Sequence, residues 1–238
     1  MVDFRFKQFE ITQDRCAMKV GTDGVLVGAW AMGGKHILDV GCGTGVVALM
    51  MAQRYPQAHV VGIDVDEEAC AQASENVQAS PFSDRIGVEC CRLQDFHVGS
   101  DGVNSPLFDA IVSNPPFFVN SLKAPDARRT LARHADSLPF RDLLSSVKRL
   151  LAEDGEFSVI VPSEVVDLVE SEACMQGFFL LRKCAVKTVA RKKPKRYMLS
   201  FAKRRLRAVS VQEEVMANDS GERSEWYARL TQDFYLEK

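Results

Sequence analysis

Asp39-Val40-Gly41-Cys42-Gly43-Thr44-Gly45 decides the fold, because it joins the apolar stretch His36 to Cys42 to a segment of helical spacing. Glycines at 41, 43 and 45 permit a tight turn whose backbone a ligand can approach closely, at the carboxyl end of a parallel strand. Thr44 to Arg54 follows with Val46, Val47, Met50 and Met51 on one helical face. The next apolar run, His59 to Val65, carries Asp64, 23 residues beyond Gly41 and placed to accept hydrogen bonds from a ribose diol. A glycine turn and an acid alone indicate only some adenosine-containing ligand. The spacing narrows this, because a dinucleotide fingerprint, Gly-x-Gly-x-x-Gly, needs its third glycine at position 46. That position is Val46, and the third glycine is Gly45.

Working outward, strands and helices alternate, which predicts an α/β fold with a doubly wound, mostly parallel sheet. Asp66 to Ala79 reads as a helix opened by acids that suit its N-terminal dipole. Ile86 to Cys91 and Phe108 to Ser113 read as strands, and the glycine-rich Gly99 to Pro106 between them as a loop. Phe140 to Leu151 carries an apolar helical stripe, Glu156 to Val161 is a strand, and Pro162-Ser163 starts a helix over Glu164 to Met175. The pattern then changes. Phe178 to Val189 and Arg196 to Arg204 predict an antiparallel hairpin at the C-terminal edge of the sheet, turned by Ala190 to Lys195. The expected organisation is one domain, 1–238, with an N-terminal extension (1–35) and a basic C-terminal hairpin (178–207).

Hydrophobic residues make up 46% and charged residues 26%, enough for a full core without disulfide or metal staples. The net charge of −2 conceals an asymmetry: twelve Lys/Arg and no acid lie between Ala173 and Gln212, leaving 18 basic against 32 acidic residues elsewhere. That predicts one basic face for a polyanion on an acidic body. Seven cysteines without Cys-x-x-Cys spacing and four scattered histidines offer neither a disulfide framework nor a metal site, and point to a reducing cytoplasm. No apolar run is long enough to span a bilayer, and the N-terminus lacks a signal-peptide core. No obligatory protein partner is evident.

Asp-x-Gly-x-Gly-x-Gly resembles motif I of the class I methyltransferases, where the turn holds the methionine part of S-adenosylmethionine. The resemblance implies that Asp39, Gly41, Cys42 and Gly43 line the methionine end, with Asp39 helping to organise its ammonium. It places the ribose at Asp64 beside Val65, and the adenine amine at Asp95 in Arg92-Leu93-Gln94-Asp95-Phe96.

Phe108 to Ser113 runs directly into Asn114-Pro115-Pro116-Phe117. In a doubly wound sheet this strand neighbours the first, so the tetrapeptide faces the glycine turn. Two prolines lock φ and lack N–H donors, leaving carbonyls that need partners. An exocyclic amine can give one hydrogen to the Asn114 side-chain oxygen and one to the Pro115 carbonyl. These bonds turn the nitrogen lone pair out of conjugation and stabilise its developing charge without a general base. Phe117 can stack on the ring that carries the amine. The motif is similar to the Asn-Pro-Pro-aromatic signature of N6-adenine, N4-cytosine, N2-guanine and glutamine-N5 methyltransferases, so it specifies an amine and not which one.

Phe4-x-Phe6-Lys7-Gln8-Phe9 and Lys19-Val20-Gly21-Thr22-Asp23-Gly24, continuing to Ala29-Trp30, are more specific. They resemble the bacterial enzymes that make N6-methyladenine beside the anticodon of a valine tRNA, and the likeness extends to Asp233-Phe234-Tyr235-Leu236. It implies that Lys19, Thr22 and Asp23 approach the cofactor's methionine end. It also implies an anticodon loop as substrate, met by Lys123, Arg128, Arg129, Arg133 and His134, with Arg191, Lys192, Lys193, Lys195 and Arg196 on phosphates farther out. N2-guanine methylation of ribosomal RNA, glutamine-N5 methylation of a protein and non-catalytic nucleotide binding are the alternatives. The first usually brings a second domain, the second a helical N-terminal domain and tyrosine after the prolines. Val46 with an intact Asn114-Pro-Pro-Phe117 argues against the third.

Overall fold

The computed structural model describes residues 4–16, 18–97, 107–115, 139–205 and 208–236. The strands are β1 (Phe4–Arg5), β2 (Glu10–Ile11), β3 (His36–Val40), β4 (His59–Asp64), β5 (Ile86–Cys90), β6 (Phe108–Ser113), β7 (Leu151–Pro162), β8 (Phe179–Val189), β9 (Arg196–Ala202) and β10 (Ser210–Ala217). The helices are α1 (Thr22–Trp30), α2 (Val46–Arg54), α3 (Glu67–Gln78), α4 (Phe140–Leu150), α5 (Val166–Met175) and α6 (Glu225–Thr231). β3 to β10 form one sheet in the order β10-β8-β9-β7-β6-β3-β4-β5. β7, β6, β3, β4 and β5 run parallel, and β9 is antiparallel to both β7 and β8.

Local chemistry explains the parallel half. β3 and β6 are buried on both faces by helices, so Ile37 and Leu38 lie opposite Ala110 and Ile111, and Val40 and Val112 continue two nearly unbroken apolar runs. One face of the sheet is covered by α1, α2, α3 and α6, the other by α4 and α5. α3 begins at Asp66, whose carboxylate accepts from the Glu68 and Ala69 N–H groups, an N-cap reinforced by acids in the first turn. The predicted stripe of α4 is the buried one: Leu143, Leu144, Val147 and Leu150.

The C-terminal part departs from the sequence expectation in three places. The antiparallel hairpin forms, but β9 lies inside it against β7, and the outer edge belongs to β10, which pairs parallel with β8. β7 begins at Leu151, five residues before Glu156, and passes a register shift opposite Phe108 and Ala110. Ser163 does not cap a helix: Ser163–Val165 is a 3-10 turn leading into α5, and the Ser163 hydroxyl meets Glu164.

The two ends of the chain meet. The Lys7 N–H donates to the Phe234 carbonyl at 2.7 Å, and Phe6 stacks on Tyr235 at 6.0 Å between ring centroids. The aromatic residues of both terminal motifs therefore belong to one cluster, beside α1 and α2.

Candidate active site

β3 ends in a turn that only glycine adopts without strain: φ is +72° at Gly41, +52° at Gly43 and +79° at Gly45. A side chain at Gly41 or Gly43 would meet no atom, so bare backbone faces open space there. At Gly45 a side chain would meet Ala73 at 3.4 Å, because α2 and α3 pack together at that point. The turn is fastened to the end of β4. Gly41 and Cys42 N–H groups donate to the Ile63 carbonyl at 2.9 and 3.0 Å, and the Gly43 N–H donates to Asp64 Oδ2 at 2.9 Å. Asp64 Oδ1 accepts from the Asp66 N–H at 3.1 Å. The carboxylate is thus held in one orientation with lone pairs left for a diol. Val65 beside it is 57% exposed, an apolar surface at the end of the strand.

Asp39 is fully buried. Its Oδ2 accepts from the Ala48 N–H at 3.0 Å, while Oδ1 has no partner among the described residues. Burial raises its pKa to about 7; the Ala48 N–H works against this rise and the charge of Asp64 adds to it. An acid left half-satisfied under a glycine turn fits a ligand carrying an ammonium group. Cys42 is buried too, and desolvation pushes its thiol well above the ordinary range, so it packs and is not a nucleophile. Gly62 on β4 makes that packing possible, since a side chain there would stand 3.0 Å from the Cys42 Cβ.

β6 delivers Asn114 and Pro115 to the same end of the sheet, half-buried and buried respectively. The Ser113 hydroxyl donates to the Val40 carbonyl at 2.9 Å, tying the strand end before Asn114 to the strand end before Gly41. On the other side is α1. A side chain at Gly24 would lie 3.5 Å from Val46 Cγ1 and 3.8 Å from Asn114 Nδ2, so the first turn of α1 packs against both motifs. Pro116, Phe117, Lys123, Arg128, Arg129, Arg133 and His134 lie outside the described residues.

Of the other expected cofactor residues, Lys19 and Thr22 are exposed at the entrance to α1. Asp23 is engaged elsewhere, its Oδ2 pairing with Arg196 Nε at 2.6 Å. Asp95 is exposed on the turn after β5, a turn held from below by Arg149 of α4. That guanidinium donates to the carbonyls of Phe96, Leu93 and Gln94 at 2.8, 3.2 and 3.3 Å.

Sequence reasoning missed four residues that build this site: Gly62, Ser113, Arg149 and Asn76. Asn76 accepts from the Thr12 N–H and donates to the carbonyls of Thr12 and Thr44, fixing the N-terminal segment to the glycine turn. A polar residue beside Ala73 and Val77 on the inner stripe of α3 was the available signal. Arg149 carried none.

The hairpin turn stands at the same end of the sheet, because β8 runs parallel to β7 and ends at Val189. Arg191, Lys192, Lys193 and Lys195 are exposed there and make no ion pair among the described residues. The rest of the basic block is largely neutralised. Arg182 pairs with Glu156 (2.5 Å), Lys183 with Glu170 (2.6 Å), Lys203 with Glu153 (3.2 Å), Lys187 with Glu213 and Arg204 with Asp154. Among the described residues, the basic side chains of this block left without an ion pair are therefore those at the turn and Arg205.

No group of three or more His, Cys, Asp or Glu among the described residues could hold a metal ion, and no helix among them is long and apolar enough to cross a membrane. A cleft of about 500 Å³ opens between the Phe6 to Thr12 segment and α3; Phe6, Lys7, Gln8 and Phe9 of the N-terminal motif line it, and no described residue of the glycine turn or of the Asn114-Pro115 corner does.

Comparison with known proteins agrees with this geometry. The crystal structure of a predicted O-methyltransferase from Agrobacterium tumefaciens superposes with a TM-score of 0.67 at 16% identity, over 89% of this chain and 96% of that one. The glycopeptide N-methyltransferase MtfA complexed with S-adenosyl-L-methionine gives 0.54 at 13% identity, over 80% and 99%. These likenesses concern the fold. In sequence, the tRNA1(Val) (adenine(37)-N6)-methyltransferase of Bacteroides thetaiotaomicron is 45% identical over 238 residues, and that of Bacteroides fragilis 44% over 236; each alignment covers 98% of this chain and 97% of the relative. The enzyme of the same name from Tolumonas auensis is 39% identical over 98% and 96%. Residues 21–179 match the methyltransferase small domain, and the chain belongs to that family.

Proposed function

We propose that this protein is a tRNA (adenine-N6)-methyltransferase, moving a methyl group from S-adenosylmethionine to N6 of adenine 37, beside the anticodon of a valine tRNA. The observation that carries the reading is the meeting of Asn114-Pro115 with the glycine turn on adjacent strands, clamped by the Ser113–Val40 bond. The full-length likeness to enzymes of that name supports the choice of amine.

Bound S-adenosylmethionine supplies an electrophilic methyl group on its sulfonium. The residues do the rest. Gly41 and Gly43 offer bare backbone to the methionine end, Asp39 its unpartnered oxygen to the ammonium, Asp64 its carboxylate to the ribose, with Val65 and Asp95 toward the adenine. Asn114 accepts one hydrogen of the target amine through its side chain and Pro115 the other through its carbonyl, aiming the nitrogen lone pair at the methyl group. Both oxygens stabilise the charge that develops on nitrogen, so no base is needed in the transfer step. The proton is released to solvent afterwards. Phe117 stacks on the adenine, which must leave the anticodon-loop stack to arrive there.

Arg191, Lys192, Lys193 and Lys195 hold phosphates at the hairpin turn, and Lys123, Arg128, Arg129 and Arg133 add positive charge for the RNA in the segment that follows the Asn-Pro-Pro-Phe motif. Phosphate contacts position the loop without identifying it. The reaction belongs in the cytoplasm, where a reduced set of seven free cysteines is at home.

The test is incubation with total tRNA from a strain lacking this activity and labelled cofactor, followed by nucleoside mass spectrometry. N6-methyladenosine at position 37 of valine tRNA is expected. N2-methylguanosine, or labelled protein with unlabelled RNA, overturns the reading.

A further inference from the structure

We infer that Arg196 is a positioning residue for methyl transfer: paired with Asp23, it holds the first turn of α1 against Asn114. This rests on the proposed activity but assigns Arg196 a different role from its exposed neighbours.

α1 needs an external hold at its start. Its N-cap is Gly21, which offers no side-chain oxygen to the free N–H groups of the first turn, and the Val25 N–H reaches the Gly21 carbonyl only at 3.4 Å. Yet this turn must be placed well, because Gly24 lies against Val46 and Asn114 together. A shift of α1 would be felt at both the cofactor turn and the acceptor corner.

The hairpin provides the hold through two guanidinium groups. At the start of α1, Arg196 Nε pairs with Asp23 Oδ2 at 2.6 Å. At its end, Arg182 lies over the Trp30 ring, 3.7 Å from the centroid, and donates to the Trp30 carbonyl at 3.3 Å. Arg182 is itself fixed by Glu156. Arg196 is fixed by its place at the base of the hairpin. It sits opposite Pro162, its Nη1 donates to the Lys195 carbonyl at 2.9 Å, and the Lys195 N–H donates to Val186 at 3.0 Å. The Ser163 N–H also donates to the Lys195 carbonyl, at 3.2 Å.

The hairpin that presents Arg191 to Lys195 to phosphates is therefore strapped to the helix that abuts Asn114. Phosphate contacts at the turn and alignment at Asn114 share one structural element. Arg196, with its charge already engaged, belongs to the strap.

The experiment compares R196A, R196K and the exchange variant D23R/R196D with the wild type. R196A should lower kcat about tenfold, with a smaller loss of affinity for S-adenosylmethionine, about threefold, and KM for tRNA unchanged within about twofold. R196K, which keeps the charge, should recover most of the turnover, and the exchange should recover part of it. In parallel, amide hydrogen exchange of the Gly21 to Leu26 segment, followed without RNA or cofactor, should quicken in R196A and slow again in D23R/R196D. A raised KM for tRNA at unchanged kcat, with a shallower salt dependence and no recovery in the exchange variant, would make Arg196 a phosphate contact and overturn the inference. Unchanged amide exchange in R196A overturns it as well, whatever the substrate. A wild-type protein that leaves tRNA unmodified defeats the proposed activity instead, and the exchange data still decide the strap.

Discussion

The turn after β3 and the corner after β6 lie side by side, joined by one hydroxyl, and are built from opposite chemistries. The first is glycine at 41, 43 and 45, all with positive φ, so the backbone is uncovered for a ligand to lie on. The second is Asn114 followed by proline, which fixes the chain and removes N–H donors, leaving oxygens as what the corner offers. In the proposed reaction the first would hold a cofactor by close approach to bare backbone, and the second would aim an amine with rigid acceptors. Changes in the two regions should therefore separate binding from turnover.

The largest effect is expected at the corner. Asn114→Ala should lower kcat about a thousandfold, the scale of losing a group that stabilises developing charge, while calorimetric affinity for S-adenosylmethionine stays within about threefold. If both fall together, the corner holds the cofactor as well and the contrast between the regions fails.

The turn should give the reverse pattern. Gly43→Ala places a side chain in open space at φ +52°, so only the left-handed backbone is penalised, by about 1–2 kcal/mol. Affinity for the cofactor should fall about tenfold, with kcat at saturating cofactor nearly unchanged, because 1.4 kcal/mol is a factor of ten. Gly45→Ala adds the 3.4 Å approach to Ala73 and should bind more weakly still. A normal affinity in both variants would show that the turn's conformation does not matter to the ligand.

The difference between the two regions was legible in the sequence because both are written in consecutive residues. Glycines and prolines act locally, and period-3.6 and apolar-run patterns mark the elements between them. What was not legible is carried by pairs far apart in the chain. Asp23 and Arg196 are 173 positions apart, and neither has a local feature that announces the other. The same holds for the basic block, which reads as one face because the acids opposite it, Glu153, Asp154, Glu156 and Glu170, come from β7 and α5. β10 escaped for a related reason. Ser-Val-Gln-Glu-Glu-Val-Met-Ala has no buried alternation, and it becomes a strand because the outer edge of β8 needs hydrogen-bond partners and Lys187 meets Glu213 there.

Asp39 sharpens the account of the turn through pH. Its carboxyl is raised to about 7 by burial, so without cofactor the protonated form is favoured below that pH. The stability it confers is present below about pH 4 and is lost as pH rises through about 7. A bound ammonium favours the ionised form instead, so affinity for S-adenosylmethionine should rise about tenfold from one pH unit below that value to one above. Titration calorimetry in buffers of different ionisation enthalpy would register the released proton. Asp39→Asn should bind with little pH dependence, and its melting temperature without cofactor should no longer fall across that range. A pH-dependent affinity that survives in Asp39→Asn would move the titrating group elsewhere.

The smallest effect belongs to the hairpin, and it separates two classes of lysine on one ribbon. Lys192 and Lys193 stand exposed at the turn, whereas Lys183 and Lys187 are held by Glu170 and Glu213 along β8. A charge already paired has little left to exchange for counterions, while a free one releases them when a phosphate arrives. Lys192→Gln with Lys193→Gln should raise KM for tRNA about threefold and reduce the slope of log affinity against log salt by about one to two, with kcat unchanged. Lys183→Gln should leave that slope alone. Equal slopes in all three proteins would take the turn off the RNA surface, and a slope lowered equally by Lys183→Gln would mean that the ion pairs along β8 open when RNA binds.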